Sequence, residues 1–512
     1  MVQGRRSRYG ENSRGKRYLI KTIQSTKNSI AAATLATGMA LLTSCGHGSG
    51  QIDSHPFETA LQRAGGLQIT MSPALLPAFD PNISDYTVRY KSGSQTQITV
   101  DARRNVAVSV AGQASQPLNF TTQVTLTPGQ SFPIVVSLFG HSKTYNVRCL
   151  PTDFPAWTTE RSGIPQAEYY IIAPNPAIAA RAAMNYVILV DGYGVPLWWY
   201  HSDTSPIDAK VLSSGNLAWT RPISGEERRL DGKLVHTFKA DASIGGTLDT
   251  HEILLLPNGN YLFIANVKRG PVDLSLYGSS PAAEILDNVI EETTPDGTLV
   301  WYWSSMDHIS VAETDARWRQ FLVQKSPADP YHMNSIEPNG ASYVVSFRHL
   351  DAVIQIDRAT GNIQWKLGGS QRPESLKFVG DSYDNFSGQH DARILPDGTL
   401  TLQDNGSFTG RSPRAVRYTI DSVARTAGLV EQVTDPDVSE AICCGNARKL
   451  SGGNWVMSWG LSPFVTELTP VGKRVFRVTF LDHYFSYRVA PVPFGTLSRA
   501  ALRQGMDAQF PR

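Results

Sequence analysis

At 512 residues the chain is too long for one compact core, which leaves two domains or a single large repeat architecture. Hydrophobic residues make up 41% and charged residues 18%, an ordinary globular balance, while 42 glycines and 31 prolines lean toward a turn-rich β fold. The net charge of +2 comes from one end: residues 1–44 carry eight basic side chains and one acidic, and without that net +7 the remainder stands at −5, which excludes a nucleic-acid-binding footprint.

The basic N-terminus runs into IAAATLATGMALL, residues 30–42, too short and small-sided to span a bilayer permanently but suited to the apolar region of a signal peptide. Leu42-Thr43-Ser44-Cys45 resembles the bacterial lipobox, whose cysteine is acylated after cleavage, with plain secretion after Ser44 as the alternative. The expected organisation is a lipoprotein-type signal peptide over 1–44 and a polar tether over 45–63. Gly46 in place of aspartate favours export to the outer membrane, facing the periplasm, with Cys45 as the membrane anchor. Mass spectrometry of the mature N-terminus should find an acylated Cys45, and an unmodified N-terminus would rule this out.

Residues 64–150 alternate with period two in QITVDA and VAVSVAG, with turn residues every 8–12 positions, the pattern of a small antiparallel β-sandwich. LxPAFDPxxxxYTV and the closing YNV resemble a cadherin-like module, which implies a spacer or docking surface without chemistry. Cys149, Cys443 and Cys444 are too few for a disulfide framework and lack metal-type C-x-x-C spacing. The adjacent Cys443 and Cys444 are compatible with a vicinal disulfide or with two thiols.

Residues 151–512 repeat. Hairpin turns occur at Pro257-Asn258-Gly259, Pro338-Asn339-Gly340 and Pro396-Asp397-Gly398, with weaker copies at Gly215 and Gly453. A second hairpin type alternates with the first and puts an aromatic four residues after its glycine: Trp198 after Gly194, Trp301 after Gly297, Trp365 after Gly361, Phe476 after Gly472. Two hairpins per repeat make a four-stranded unit, and such units with a periodic aromatic predict a six-bladed β-propeller rather than an irregular all-β fold.

One histidine stands eight residues before each strong turn glycine: His251 before Gly259, His332 before Gly340, His390 before Gly398. In a propeller the first strand of each blade lines the central channel, so equivalent positions far apart in sequence converge on a ring. Three converging histidines form a ligand set for a catalytic metal, or act directly as nucleophile and proton carrier on an anion. Asn334, on the same strand face as His332, and Arg348, in the next strand, favour an oxyanion socket. An arginine repels a dication, and no carboxylate is expected at a matching strand entry, since Glu252 and Asp391 point the other way by alternation.

DPYHMNSIEPNG…SFRHLDAVIQIDRATGNIQWKLGG, followed by GQHDARILPDGTLTLQDNG and preceded by DTHEILLLPNGNYL, resembles the bacterial aryl-sulfate sulfotransferases that use no nucleotide sulfate donor. The likeness extends loosely over residues 154 to about 480. It implies a ping-pong transfer of sulfuryl from an aryl sulfate donor to a phenolic acceptor through a sulfohistidine, with no cofactor and no metal. His390, in the Q-H-D-A-R motif, is the implied nucleophile; His332 and His251 are implied catalytic residues, and Asn334 and Arg348 implied substrate-binding residues. The adjacent cysteines depart from the family's more widely spaced pair, and a homodimer is left open. A non-catalytic ligand-binding propeller and a His₃-metal enzyme are the competing readings.

Overall fold

The computed structural model describes residues 56–512 except 64, 91–94 and 180. The leader, Cys45 and most of the tether lie outside the described residues. The tether ends in a short helix, Pro56–Arg63, which lays Phe57, Ala60 and Leu61 on the core.

Residues 67–150 form two sheets. Leu67–Ser72, Thr96–Ala102 and Phe120–Val124 make the smaller. Leu75–Leu76, Asp85–Arg89, His141–Leu150, Ser131–Leu138, Val106–Val110 and Gln116–Pro117 make the larger, in that spatial order. Alternation in TQITVDA and VAVSV buries Ile98, Val100, Val106 and Val108. The expectation of a purely antiparallel sandwich needs correcting, because Asp85–Arg89 runs parallel to His141–Leu150. A parallel pair needs a long crossover, so no local turn in the sequence marks it.

The remainder is all-β and propeller-like. Among the described residues it contains six four-stranded antiparallel meanders. Five begin at Lys210–Val211, Thr247–Leu255, Met333–Asn339, His390–Ile394 and Asn446–Lys449. The sixth is assembled from both ends of this region: Tyr484–Val492 pairs with Tyr169–Pro176, followed by Tyr186–Asp191 and Pro196–His201. Ser375–Val379 pairs parallel with Ile363–Gly368 and with Thr426–Val433, fusing two meanders into a nine-stranded sheet. Each hairpin marked by a turn glycine is present; Gly259 (φ 85°) and Gly398 (φ 80°) occupy the left-handed conformation that makes glycine necessary there.

The recurring aromatics pack between neighbouring meanders. Phe476 stacks on Tyr170 with ring centroids 4.7 Å apart, and Trp301 leans on Tyr343 at 5.3 Å. Trp198, Trp365 and Phe476 are buried, whereas in the Gly297 hairpin full burial shifts from Trp301 to Trp303.

A C-terminal helix, Arg499–Gln509, capped by the Ser498 side chain, buries Leu502 and Met506. Its Arg499 and Arg503 pair with Asp85, and Arg148 pairs with Asp507 at 2.7 Å. One hydrophobic core runs from the two N-terminal sheets into the meander that contains Tyr169–Pro176 and Tyr186–Asp191.

Candidate active site

The first strands of successive meanders touch one another from Thr247–Leu255 through Met333–Asn339, His390–Ile394 and Asn446–Lys449 to Tyr484–Val492. At one end of three of them the pairing register breaks: between Leu248 and Ile253, between Met333 and Ser335, and between His390 and Arg393. Such a bulge re-aims side chains without ending the strand. His332 (φ 53°) and Asp391 (φ 60°) sit in left-handed backbone at these irregularities, strain that a fold retains only where surrounding contacts enforce it.

The three histidines do converge. The rings of His251 and His332 lie 5.0 Å apart, centroid to centroid, and those of His251 and His390 lie 6.4 Å apart. His390 is fully buried, while the side chains of His251 and His332 keep 16% and 23% exposure. The site therefore opens on the side of His251 and His332, with His390 as its floor.

His390 Nδ1–H donates to the Gly388 carbonyl at 2.9 Å, a tautomer assigned from this partner. Its Nε2 then carries the lone pair, and the Cys444 N–H points at it from 3.3 Å. Desolvation, then the Arg348 cation, then His251 hold the His390 pKa well below the usual imidazole value, so the ring is neutral at pH 7. Gly388 (φ 61°) allows this approach, since a Cβ there would collide with the Ser407 side chain. Asn334 clamps the same segment, its Nδ2 donating to the Gln389 carbonyl and its Oδ1 accepting from the Asp391 N–H. Both ends of that amide thus hold the His390 segment, each with one further hydrogen-bonding position left.

Arg348 is buried. Its Nη2 donates to the Ile442 carbonyl at 2.7 Å and its Nη1 to His349 Nε2 at 3.0 Å, while Nε has no partner among the described residues. The guanidinium lies 4.1 Å from the Trp318 ring centroid. Among the described residues no carboxylate pairs with it. Desolvation lowers its pKa to about 10, which leaves it cationic at neutral pH.

No carboxylate is expected at a matching strand entry, and two lie just ahead of the entries, against the histidines. Asp249 bonds His251 Nδ1, and Asp329 Oδ2 bonds His332 Nδ1 at 2.7 Å. Both signals were present in DTH and DPYH, but the carboxylates precede the strand entry instead of matching it. Burial alone would raise these acids, yet the imidazoles beside them hold both below the usual carboxylate range. His332 itself is pushed below its ordinary value by desolvation, against the pull of Asp329.

A fourth histidine, not anticipated, completes the cluster. His349 stacks on His332 with centroids 4.5 Å apart and donates from Nδ1 to the Asp329 carbonyl at 2.7 Å. Asp329, His332 and His349 lie close enough to share a cation, but both His349 nitrogens are engaged, one of them by a guanidinium. That donor set does not suit a metal.

Cys443 and Cys444 are joined as a vicinal disulfide, and Cys149 is free and buried. The disulfide loop borders the site: Ile442 holds Arg348, Cys444 N–H faces His390, and the Cys444 carbonyl accepts from Asn405. Glu252 and Asp391 do turn away from the histidines. They neutralise a buried belt of Arg393, Arg448 and Arg488 beneath them, and Arg488 also donates to the carbonyls of His251 and Asn334.

No curated protein matches the chain. Among solved structures, a protein of unknown function from Bacteroides caccae is 13% identical, covering 64% of this chain and 99% of its own, with a TM-score of 0.40. The Cps50 (Swd1) β-propeller domain of Myceliophteria thermophila is 11% identical, covering 62% and 88%, at 0.32. A quinonprotein alcohol dehydrogenase-like protein from Bacteroides thetaiotaomicron is 7% identical, covering 79% and 96%, at 0.33. A family model, Arylsulfotransferase (ASST), matches residues 158–482, a span that holds every histidine of the cluster together with Arg348 and the disulfide loop, and the chain belongs to that family.

Proposed function

We propose that the protein transfers a sulfuryl group from an aryl sulfate to a phenol by a ping-pong route, without a nucleotide donor, on a six-bladed propeller. The observation that carries this reading is the pairing of a buried cation lacking a carboxylate, Arg348, with a neutral His390 whose Nε2 lone pair meets only the Cys444 N–H, at 3.3 Å, among the described residues. A sulfate monoester carries one negative charge, which one guanidinium and neutral N–H donors can match without Mg²⁺.

In the first half-reaction His390 Nε2 attacks sulfur, the S–O bond to the aryl ring breaks, and the electron pair leaves on the phenolic oxygen. The ring keeps its Nδ1 proton, so sulfated His390 is an imidazolium whose charge the Gly388 carbonyl faces. The departing phenolate, from a phenol titrating near ~10, takes a proton from an imidazolium, which becomes a neutral imidazole. We assign that donor to His251, backed by Asp249, because desolvation biases His332 toward its neutral form. In the second half-reaction the acceptor phenol returns its proton to His251 and attacks sulfur, and the N–S bond pair goes back to Nε2. The N-terminal sheets act as a spacer, contributing none of these side chains, and the anchor is an acylated Cys45.

With 4-nitrophenyl sulfate alone, the protein should release about one phenol per site and leave one sulfohistidine detectable at His390. Across a series of leaving groups, His251→Ala should steepen the dependence of rate on phenol pKa, hurting poor leaving groups most, with His332→Ala doing so less. Equal losses for all leaving groups would remove His251 as the acid. Binding of the ester without phenol release would favour the non-catalytic propeller, and activity lost to a chelator and restored by zinc or iron would favour the metal enzyme.

A further inference from the structure

The last inner strand, Tyr484–Val492, brings to the site a residue that no motif marks. Tyr487 packs edge-on against two of the histidines, with centroids 5.6 Å from His251 and 6.5 Å from His390. The side chain is buried, with 5% exposure, and its hydroxyl has no hydrogen-bond partner among the described residues. Its backbone is tied down, the Tyr487 carbonyl accepting from the Gly445 N–H at 2.9 Å. Ring and backbone are thus fixed, and the phenol oxygen alone is unsatisfied.

An orphaned buried hydroxyl is costly, and a phenylalanine would fill the same space without that cost. The charged groups around the phenol fix its protonation. Desolvation raises its pKa first, and Asp208, Asp249 and Glu252 raise it further, against the lowering effect of Arg488. The hydroxyl therefore stays protonated at every working pH and can donate a hydrogen bond but not act as an acid. The ring lies beside both the nucleophile and the proton donor. A sulfuryl group passing between them spreads its three non-bridging oxygens around the N–S–O line, where a neighbouring hydroxyl can meet one of them.

We propose that Tyr487 is a further catalytic residue, a neutral hydrogen-bond donor from its hydroxyl to a non-bridging oxygen of the transferring sulfuryl group. This rests on the sulfuryl-transfer reading above. Arg348 supplies the charge, so the two groups together orient the sulfuryl for transfer in both directions. Because the same oxygens are present in both half-reactions, Tyr487 serves each equally.

The test is Tyr487→Phe in the full-length protein, with single-turnover rates for sulfation and desulfation of His390. Both rates should fall by a similar factor, about 10- to 100-fold, somewhat less than an oxyanion-hole donor removed from a hydrolase. The dependence on leaving-group pKa should keep its slope, unlike that of His251→Ala, and the thermal midpoint should not fall, since no native hydrogen bond is lost. Unchanged rates in both half-reactions, or a slope as steep as in His251→Ala, would overturn the proposal. Should the wild-type protein neither release phenol nor form sulfohistidine, the sulfuryl-transfer reading fails by itself. Calorimetric binding of inorganic sulfate then decides on Tyr487 alone: weaker binding by the variant supports the donor role, and equal binding removes it.

Discussion

Replacing His390 by alanine should abolish both half-reactions, lowering turnover on the order of 10⁵-fold or more, to the level of background hydrolysis, as expected when a nucleophile is removed. His349 cannot substitute, because both its nitrogens are occupied. His251 and His332, each backed by a carboxylate, are placed as proton carriers instead of as the buried floor of the site. The variant should still fold, because the side chain makes only two polar contacts through its ring nitrogens besides the nearby Asn405. Stopped-flow detection of phenol and intact-mass detection of a sulfated protein check the two half-reactions separately. Normal turnover by His390→Ala would falsify the assignment.

Arg348→Ala should reduce kcat/KM by about 10²- to 10³-fold, the effect of deleting one preorganised donor at a developing anion. Arg348→Lys should recover only part of this, because an ammonium cannot hold the Ile442 carbonyl and His349 Nε2 while also facing the sulfuryl group. A second signature has a definite sign. The Arg348 cation opposes protonation of His390, so its removal lets the His390 pKa rise toward the ordinary imidazole value, though desolvation still holds it down. Protonated His390 has no lone pair for sulfur, so the acid limb of the kcat/KM profile should move to higher pH. A lower kcat/KM with an unmoved acid limb would mean that Arg348 does not face His390 in solution.

The vicinal disulfide places a constraint beside both of these groups. Cys444 has φ 66° and presents its N–H to His390, and the preceding Ile442 carbonyl fixes Arg348. Gly445 (φ 86°) follows at a point where a Cβ would run into the Ser458 carbonyl and the Gln403 amide. This short loop therefore ties the nucleophile and the cation to one rigid piece of backbone.

Local pattern by itself determined the repeating hairpins, the aromatic between neighbouring meanders, and the convergence of His251, His332 and His390. Each of these follows from periodicity: Asn-Gly and Asp-Gly turns fix the hairpins, and a radial repeat carries equivalent positions to a common axis. The motifs also carried Asn334 and Arg348. Tertiary structure alone decided the rest, because it depends on pairings between distant segments. Tyr484–Val492 closes on Tyr169–Pro176, and only that closure brings Tyr487 to His251 and His390. Asp249 falls inside the bulge between Leu248 and Ile253, and Asp329 lies ahead of the strand that Met333 opens, so simple alternation places neither carboxylate behind its histidine. The role of Asn334 as a clamp on the His390 segment, and that of His349 as the acceptor holding Arg348, likewise emerged from contacts across meanders and loops. Sequence period specifies which residues are equivalent, whereas the burial and hydrogen-bond partners that set their chemistry are fixed only when the ring closes.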